Sequence, residues 1–377
     1  MHPHKKYFSL QHTLLILKIG IMTFWWSEAN YGQLLQCFAL QKRLRDLGHE
    51  AFLIKYHQKN GILESSLRKK FNTTSGSHEA PKKIPNIHKP DRQFELFRQK
   101  YIAQSHFSYT SLQQLQYNPP DADIYIVGSD QVWNFWNVPV SVCKNFIHTY
   151  FLDFGDENTQ RISYAASWGR TDISDEEIAE ITPLLKRFGY ISVREESGVK
   201  LCKKCGRQDA KWIDDPTFLL SPQTYRNIYN DNIVRRMAKK FLLLYMLNNA
   251  CDCDTQSVYD FAAKKNLEVV YVTGNSLVDN RKKFYATIPE WLYLIDNAEY
   301  VVTNSFHGGA FSIIFHKKFG IAPLVGTAAG MNVRFMSMFE RKGTGNRFVT
   351  SDKLDVLEQE YTTKETQQDE QFWKIFK

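Results

Sequence analysis

A short apolar run, Tyr300-Val301-Val302, stops at Thr303-Asn304-Ser305, and a helical pattern begins at once with Phe306-His307-Gly308-Gly309-Ala310. A strand that runs straight into a helix is most easily accommodated by a parallel sheet, whose strands need a crossover between them. The junction also places a histidine at a helix start. The first N–H groups of a helix have no intrahelical partner and lie at the positive end of its dipole, so they attract phosphate or carboxylate. A histidine beside such a site can move protons near neutral pH. Taken alone, the pattern equally describes a histidine that caps a helix packed on a sheet.

The same alternation recurs along the chain. An apolar stretch from Leu14 to Phe24 is followed by a polar loop, by Cys37, Leu40, Leu44 and Leu47 at helical spacing, by Gly48, and by a second strand over 51–56. Further strands are expected over 123–127, 161–166 and 190–193, with a helix opened by Ser174 and Glu177 in capping-box spacing. The polar, amphipathic stretch 221–240 reads as a link, after which strands over 241–247, 268–272 and 300–302 repeat the pattern, with Thr287 and Glu290 as a second capping box. The expected fold class is α/β, with two Rossmann-like doubly wound domains (1–235 and 236–377) facing a cleft and ligands at the carboxyl ends of the strands. The last helix is free to cross back onto the first domain.

A chain of 377 residues, 43% hydrophobic, is long enough for two domains that each bury a core. The six cysteines are too few for a disulfide framework, and the pairs Cys202/Cys205 and Cys251/Cys253 lack the loop signature of a zinc ribbon, so reduced surface thiols and no metal are expected. The run 14–24 stands behind Lys5 and Lys6 as a signal peptide's core would. Lys18 interrupts it, no small-residue cleavage site follows, and it is too short to span a bilayer, so it reads as a buried strand behind an upstream extension.

The net charge of +8 is unevenly placed: residues 59–92 hold eight Lys/Arg against three Asp/Glu, a local +5. The segment is also rich in Ser, Thr, Asn and Pro and reads as an insertion, either a solvated loop or a patch that leans on anionic lipid or a phosphorylated carrier. No recognition motif or stacking platform accompanies the charge, so nucleic acid is not an expected partner. The expected location is the cytoplasm, with peripheral contact at the inner face of the membrane.

Four polar clusters fall where strands end: Asn30-Tyr31-Gly32, Gly128-Ser129-Asp130-Gln131, Ser192-Val193-Arg194-Glu195, and Asn304 to His307 with Gly308 behind it. Any one could be loop chemistry, but together they are candidates for one shared site. Gly128 to Asn134, Ser163-Tyr164-Ala165-Ala166-Ser167, Ile191 to Glu195, Asp215-Pro216-Thr217 and Thr303 to Gly308, in this order and spacing, resemble the polysaccharide pyruvyl transferase family from about Ile19 to Arg347. The resemblance implies a GT-B-like arrangement of the two domains. It also implies transfer of the enolpyruvyl carbons of phosphoenolpyruvate, as donor substrate, onto two hydroxyls of one sugar, giving a cyclic pyruvate ketal without a cofactor. The acceptor would belong to a surface polysaccharide such as a capsule or exopolysaccharide, or to its lipid-linked precursor.

The residues suit that chemistry. Phosphoenolpyruvate brings a carboxylate and a phosphate, which need cations and N–H donors, and its methylene carbon must be protonated before a hydroxyl can attack C2. By resemblance, Arg194 matches a family arginine that looks like an anion clamp, His307 matches a histidine placed for proton transfer or phosphate contact, and Arg334 lies where members often carry an arginine facing the cleft. Asp130 could take a proton from a sugar hydroxyl or cap its turn. Trp133, with Trp25, Trp26 and Trp136, could stack on a sugar or pack at a domain interface. One departure stands out: many members carry an arginine two residues before the histidine, where this chain has Ser305, which cannot clamp a carboxylate bidentately. Two other functions therefore remain open, a GT-B glycosyltransferase using a nucleotide-sugar donor and a catalytically silent glycan-binding homologue.

Overall fold

The computed structural model describes residues 15–57, 91–135, 138–248, 250–274 and 279–376. The upstream extension, Trp136 and the basic segment apart from Asp91 and Arg92 lie outside them. Six strands, β1 (Lys18–Met22), β2 (Glu50–Tyr56), β3 (Gln104–Tyr109), β4 (Ile124–Val127), β5 (Gln160–Ser163) and β6 (Phe188–Tyr190), form a parallel sheet in the order β3-β2-β1-β4-β5-β6. Just beyond it, β7 (Ser192–Val193) and β8 (Lys211–Trp212) pair as a small parallel ribbon. A second parallel sheet holds β9 (Phe241–Met246), β10 (Glu268–Thr273), β11 (Tyr300–Thr303) and β12 (Lys318–Ile321) in the order β10-β9-β11-β12. All four residues of β4 and all six of β9 are buried, as expected of central strands covered on both faces.

Among the described residues the α-helices, in chain order, are α1 (Tyr31–Asp46), α2 (Phe94–Tyr101), α3 (Leu112–Tyr117), α4 (Val140–Tyr150), α5 (Asp175–Leu185), α6 (Glu196–Lys204), α7 (Pro222–Asn230), α8 (Thr255–Lys264), α9 (Ile288–Asn297), α10 (Phe306–Ile314), α11 (Val333–Lys342) and α12 (Glu370–Lys374). Both expected capping boxes are formed: Ser174 and Glu177 start α5, and Thr287 and Glu290 start α9, each satisfying two otherwise unpaired N–H groups. Gly48 closes the α1 turn at φ +95°, a conformation glycine adopts without strain.

The stretch read as a link is partly structural. Its helix α7 lies against α9, where Arg226 Nε and Tyr229 Oη donate to Asp296 at 2.7 and 2.6 Å. The chain then returns: Phe372, Trp373 and Phe376, in and just after α12, pack with Tyr164 and Tyr190 of the first domain. The cysteines depart from expectation. All six are free, but only Cys251 is partly exposed, because the others face the packed interior as small apolar side chains.

The two sheets share one apolar core across their interface. Tyr31 of α1 stacks on Trp291 of α9 with ring centroids 5.0 Å apart and donates its hydroxyl to Ala286 O at 2.8 Å. Arg92 adds a second tie, donating to Thr273 O at the end of β10 at 2.7 Å. An aromatic pair of this kind contributes about 0.5–1.5 kcal/mol beyond its buried area, so the interface is held rather than loosely apposed. Among the described residues, no helix is long and apolar enough to cross a membrane.

Candidate active site

The carboxyl ends of β1, β4, β5, β7 and β11 bring all four polar clusters to the interface between the sheets, and a fifth segment joins them. Asp215, fully buried just after β8, stands at the centre. Its Oδ2 accepts from Arg194 Nη1 at 2.8 Å and from Ser129 Oγ at 3.0 Å. Its Oδ1 accepts from the Thr217 amide at 3.0 Å and the Thr217 hydroxyl at 2.8 Å. From the opposite domain, His307 Nε2 approaches Oδ2 to 3.5 Å, a charge-pair separation rather than a formed hydrogen bond. Burial alone would push the Asp215 carboxyl up, but His307 and Arg194 outweigh it and hold it well below the usual carboxylate range.

Arg194 is 3% exposed, not a surface arginine. Its guanidinium lies 4.1 Å from the centroid of the Phe306 ring, and its Nη2 has no hydrogen-bond partner among the described residues. Burial opposes its charge, yet Asp215, Glu195 and Asp130 keep its pKa above the ordinary arginine value. Arg334, from the first turn of α11, is equally sequestered. Its Nε donates to Met331 O at 3.1 Å, and among the described residues it has no carboxylate partner. Burial first, and then the charge of Arg194, push its pKa down to about 10. Two guanidinium groups thus lie close enough to repel each other in a dry place, an arrangement that an anion would relieve.

His307 sits in the first turn of α10, and its position depends on Gly32. A β-carbon on residue 32 would fall 2.0 Å from His307 Nδ1. Nearby, Asn30 precedes α1 without capping it, and its buried Oδ1 has no hydrogen-bond partner among the described residues. Ser305 caps α10 by accepting from the Gly308 amide at 3.3 Å, so it contributes local structure where an arginine would contribute charge. Gly308 is tight against Thr303, whose Oγ1 would lie 2.6 Å from an added β-carbon.

Asp130 adopts a left-handed backbone, φ +62°, and its Oδ1 accepts from the Gln131 amide at 2.8 Å. It therefore shapes its turn, while its charge also acts on Arg194 and Arg334. Gly128, at φ +112°, passes so close to Tyr164 O that a β-carbon would come within 2.3 Å, and Ser129 is fixed by Gln36 Oε1 at its amide.

Two expected substrate contacts are committed elsewhere. Trp133 is fully buried, stacks on Phe151 at 4.8 Å and donates Nε1 to Tyr150 O at 3.0 Å, which leaves no face for a sugar. Both ends of the Asn304 amide hold the loop after β9: Oδ1 accepts from the Leu247 amide at 2.8 Å and Nδ2 donates to Asn248 O at 2.9 Å. Glu195, which the sequence marks only as the end of the third cluster, is fully buried between the Ser167 hydroxyl and the Trp168 amide and close to Arg194. Asp215 stands in the Asp215-Pro216-Thr217 motif that carries the resemblance, but the sequence attaches no role to it. That role comes from Arg194 and His307, which are distant in sequence and which no local pattern brings together.

The family model for polysaccharide pyruvyl transferase matches residues 30–321. The chain belongs to the polysaccharide pyruvyl transferase family. The matched span contains all five segments at the site, with Asn30 at its first residue, and ends before Arg334. No curated protein sequence matches the chain. Among solved structures, the Methanocaldococcus jannaschii UDP-GlcNAc 2-epimerase in complex with UDP-GlcNAc and UDP is 13% identical over 93% of this chain and 95% of that one, with a TM-score of 0.48. The Neisseria meningitidis UDP-GlcNAc 2-epimerase is 9% identical over 90% and 89%, at 0.43, and an alpha-glucosyltransferase in complex with UDP and DNA is 11% identical over 81% and 80%, also at 0.43. Likenesses this distant carry no argument about the substrate of this family member.

Proposed function

We propose that this chain transfers the pyruvyl group of phosphoenolpyruvate to two hydroxyls of one sugar in a surface polysaccharide or its lipid-linked precursor. The observation that carries the reading is the buried pair Arg194 and Arg334 near a histidine at a helix start: among the described residues, Nη2 of the first has no hydrogen-bond partner and the second has no carboxylate partner. Such a place suits a small polyanion. Family membership supplies the reaction type.

In this reading Arg194 and Arg334 bind the donor's carboxylate and phosphate, and His307 delivers the proton that turns the methylene carbon into a methyl group. The C=C bond is lost, C2 becomes electrophilic, and a sugar oxygen bonds to it. A second hydroxyl of the same sugar adds as the C2–O bond to phosphate breaks. One hydroxyl proton ends on the methyl carbon through the protein and the other leaves with phosphate, so the products are the ketal and inorganic phosphate. Asp130 is the candidate to accept a hydroxyl proton. In this reading Arg194 and Arg334 supply the charge that an arginine in place of Ser305 would carry.

The experiment is phosphate release from phosphoenolpyruvate across a panel of lipid-linked sugars, with the ketal methyl followed by NMR. Acceptor-dependent phosphate and a new methyl signal are expected. Heat protection by a nucleoside diphosphate but not by phosphoenolpyruvate would instead indicate a nucleotide-sugar glycosyltransferase. Glycan binding without turnover of either donor would indicate a silent homologue.

A further inference from the structure

The ring of His307 has two nitrogens with different surroundings. Nδ1 lies on the Gly32 side, where the glycine leaves no side chain over it. Nε2 lies on the Asp215 side, buried, 3.5 Å from Oδ2 and without a hydrogen bond of its own. The charged groups around the ring come from three elements. Asp215 faces it from the segment after β8. Arg194, before α6, shares the same carboxylate oxygen. Arg334 of α11 is close enough to Arg194, Glu195 and Asp130 for their charges to act on it. From α1 Gly32 lies against the ring, and the Tyr31 hydroxyl is turned to Ala286.

We propose that Asp215 is the positioning residue for His307: it holds the imidazole by Nε2, so that Nδ1 beside Gly32 is the nitrogen that exchanges a proton with the substrate. The same Oδ2 that faces Nε2 also accepts from Arg194 and Ser129 of the first domain, while His307 belongs to the second. One carboxylate oxygen therefore registers the proton-transfer group of one domain against the anion-binding group of the other. A buried carboxylate behind an imidazole selects the tautomer with the proton on the nitrogen that faces it and fixes the ring's orientation. When a donor anion engages Arg194, it competes with Asp215 for the guanidinium, and the released oxygen can close the 3.5 Å gap to Nε2. Donor binding would then tighten the hold on the ring that must react with it.

This rests on the pyruvyl-transfer reading for the identity of the reaction, but its first test needs no substrate. The protein is labelled with ¹⁵N-histidine, and the His307 ring signals are identified by their loss in His307→Gln. In the neutral ring of the parent protein, Nε2 is expected to carry the proton and Nδ1 to be bare; the opposite tautomer would overturn the proposal whatever the enzyme's substrate. Asp215→Asn should abolish the tautomer preference. It should also lower kcat on the order of 100-fold or more while leaving the KM for phosphoenolpyruvate unchanged or lower, because Arg194 is released. Asp215→Glu, which keeps a carboxylate, should recover part of kcat. A carboxylate that served only to hold the fold would reduce the folded fraction and leave the tautomer and the kcat of the remaining folded protein intact, which would overturn the proposal. Should Asp215→Asn fail to fold, the tautomer of the parent protein decides.

Discussion

Gly32 of the first domain lies directly against the imidazole of His307 of the second, so that residue 32 has no room for even a methyl group: its β-carbon would fall 2.0 Å from Nδ1 and 2.2 Å from Cγ. The contact makes the domain interface part of the site. Gly32→Ala must displace the ring, the helix α1 or the whole domain pairing. A cost of about 1–3 kcal/mol in stability is expected from overpacking, with turnover reduced by roughly 10- to 100-fold from the misplaced ring. Thermal unfolding and kcat check this together. Unchanged values for both would mean that His307 is not held against α1.

Arg194 and Arg334 should separate in stability but not in donor binding. Arg194 is the guanidinium hydrogen-bonded to the fully buried Asp215, so Arg194→Ala removes one side of a buried ion pair and should destabilise the fold by about 3–5 kcal/mol. Arg334→Met removes a buried cation that has no carboxylate partner among the described residues, and should leave stability unchanged or raise it. Both should weaken phosphoenolpyruvate binding by about 2–4 kcal/mol, as expected for loss of a charge-assisted pair. Chemical denaturation and calorimetry measure the two effects, and equal stability losses would refute the asymmetry.

The depressed pKa of Asp215 predicts an acid limb in stability. A carboxyl that binds its proton less readily in the folded than in the unfolded protein contributes stability that is complete above the unfolded value of about 3.9 and is lost as pH falls towards the folded value. Unfolding free energy should therefore drop steeply below about pH 4. In Asp215→Asn that part of the slope should be missing. Parallel pH–stability curves for the two proteins would contradict the assignment.

What the sequence shows of this molecule follows from how local each feature is. The strands β1, β4, β9 and β11 are apolar runs buried on both faces, and the two capping boxes are four-residue motifs, so each is legible in a short window. The strand β3 gives no such signal, because Gln104-Ser105-His106-Phe107-Ser108-Tyr109 is an edge strand with three consecutive exposed residues and no apolar pattern. The polar clusters could be assigned to one site because parallel sheets gather strand ends. Their internal bookkeeping could not be read: that Trp133 turns into the core, that Asn304 is occupied by the loop after β9, and that Asp215 faces both Arg194 and His307 are facts about side chains from distant segments.

The most direct measurement is the rate of phosphate release from saturating phosphoenolpyruvate, in the presence of a competent lipid-linked acceptor, for the parent protein and for His307→Asn. Loss of a general acid or base costs roughly 100- to 10,000-fold, and a fall of that size with a smaller change in donor affinity is the result predicted here. Near-parental turnover in His307→Asn would contradict the account, leaving the histidine a packing residue on Gly32 and the proton donor to be found elsewhere.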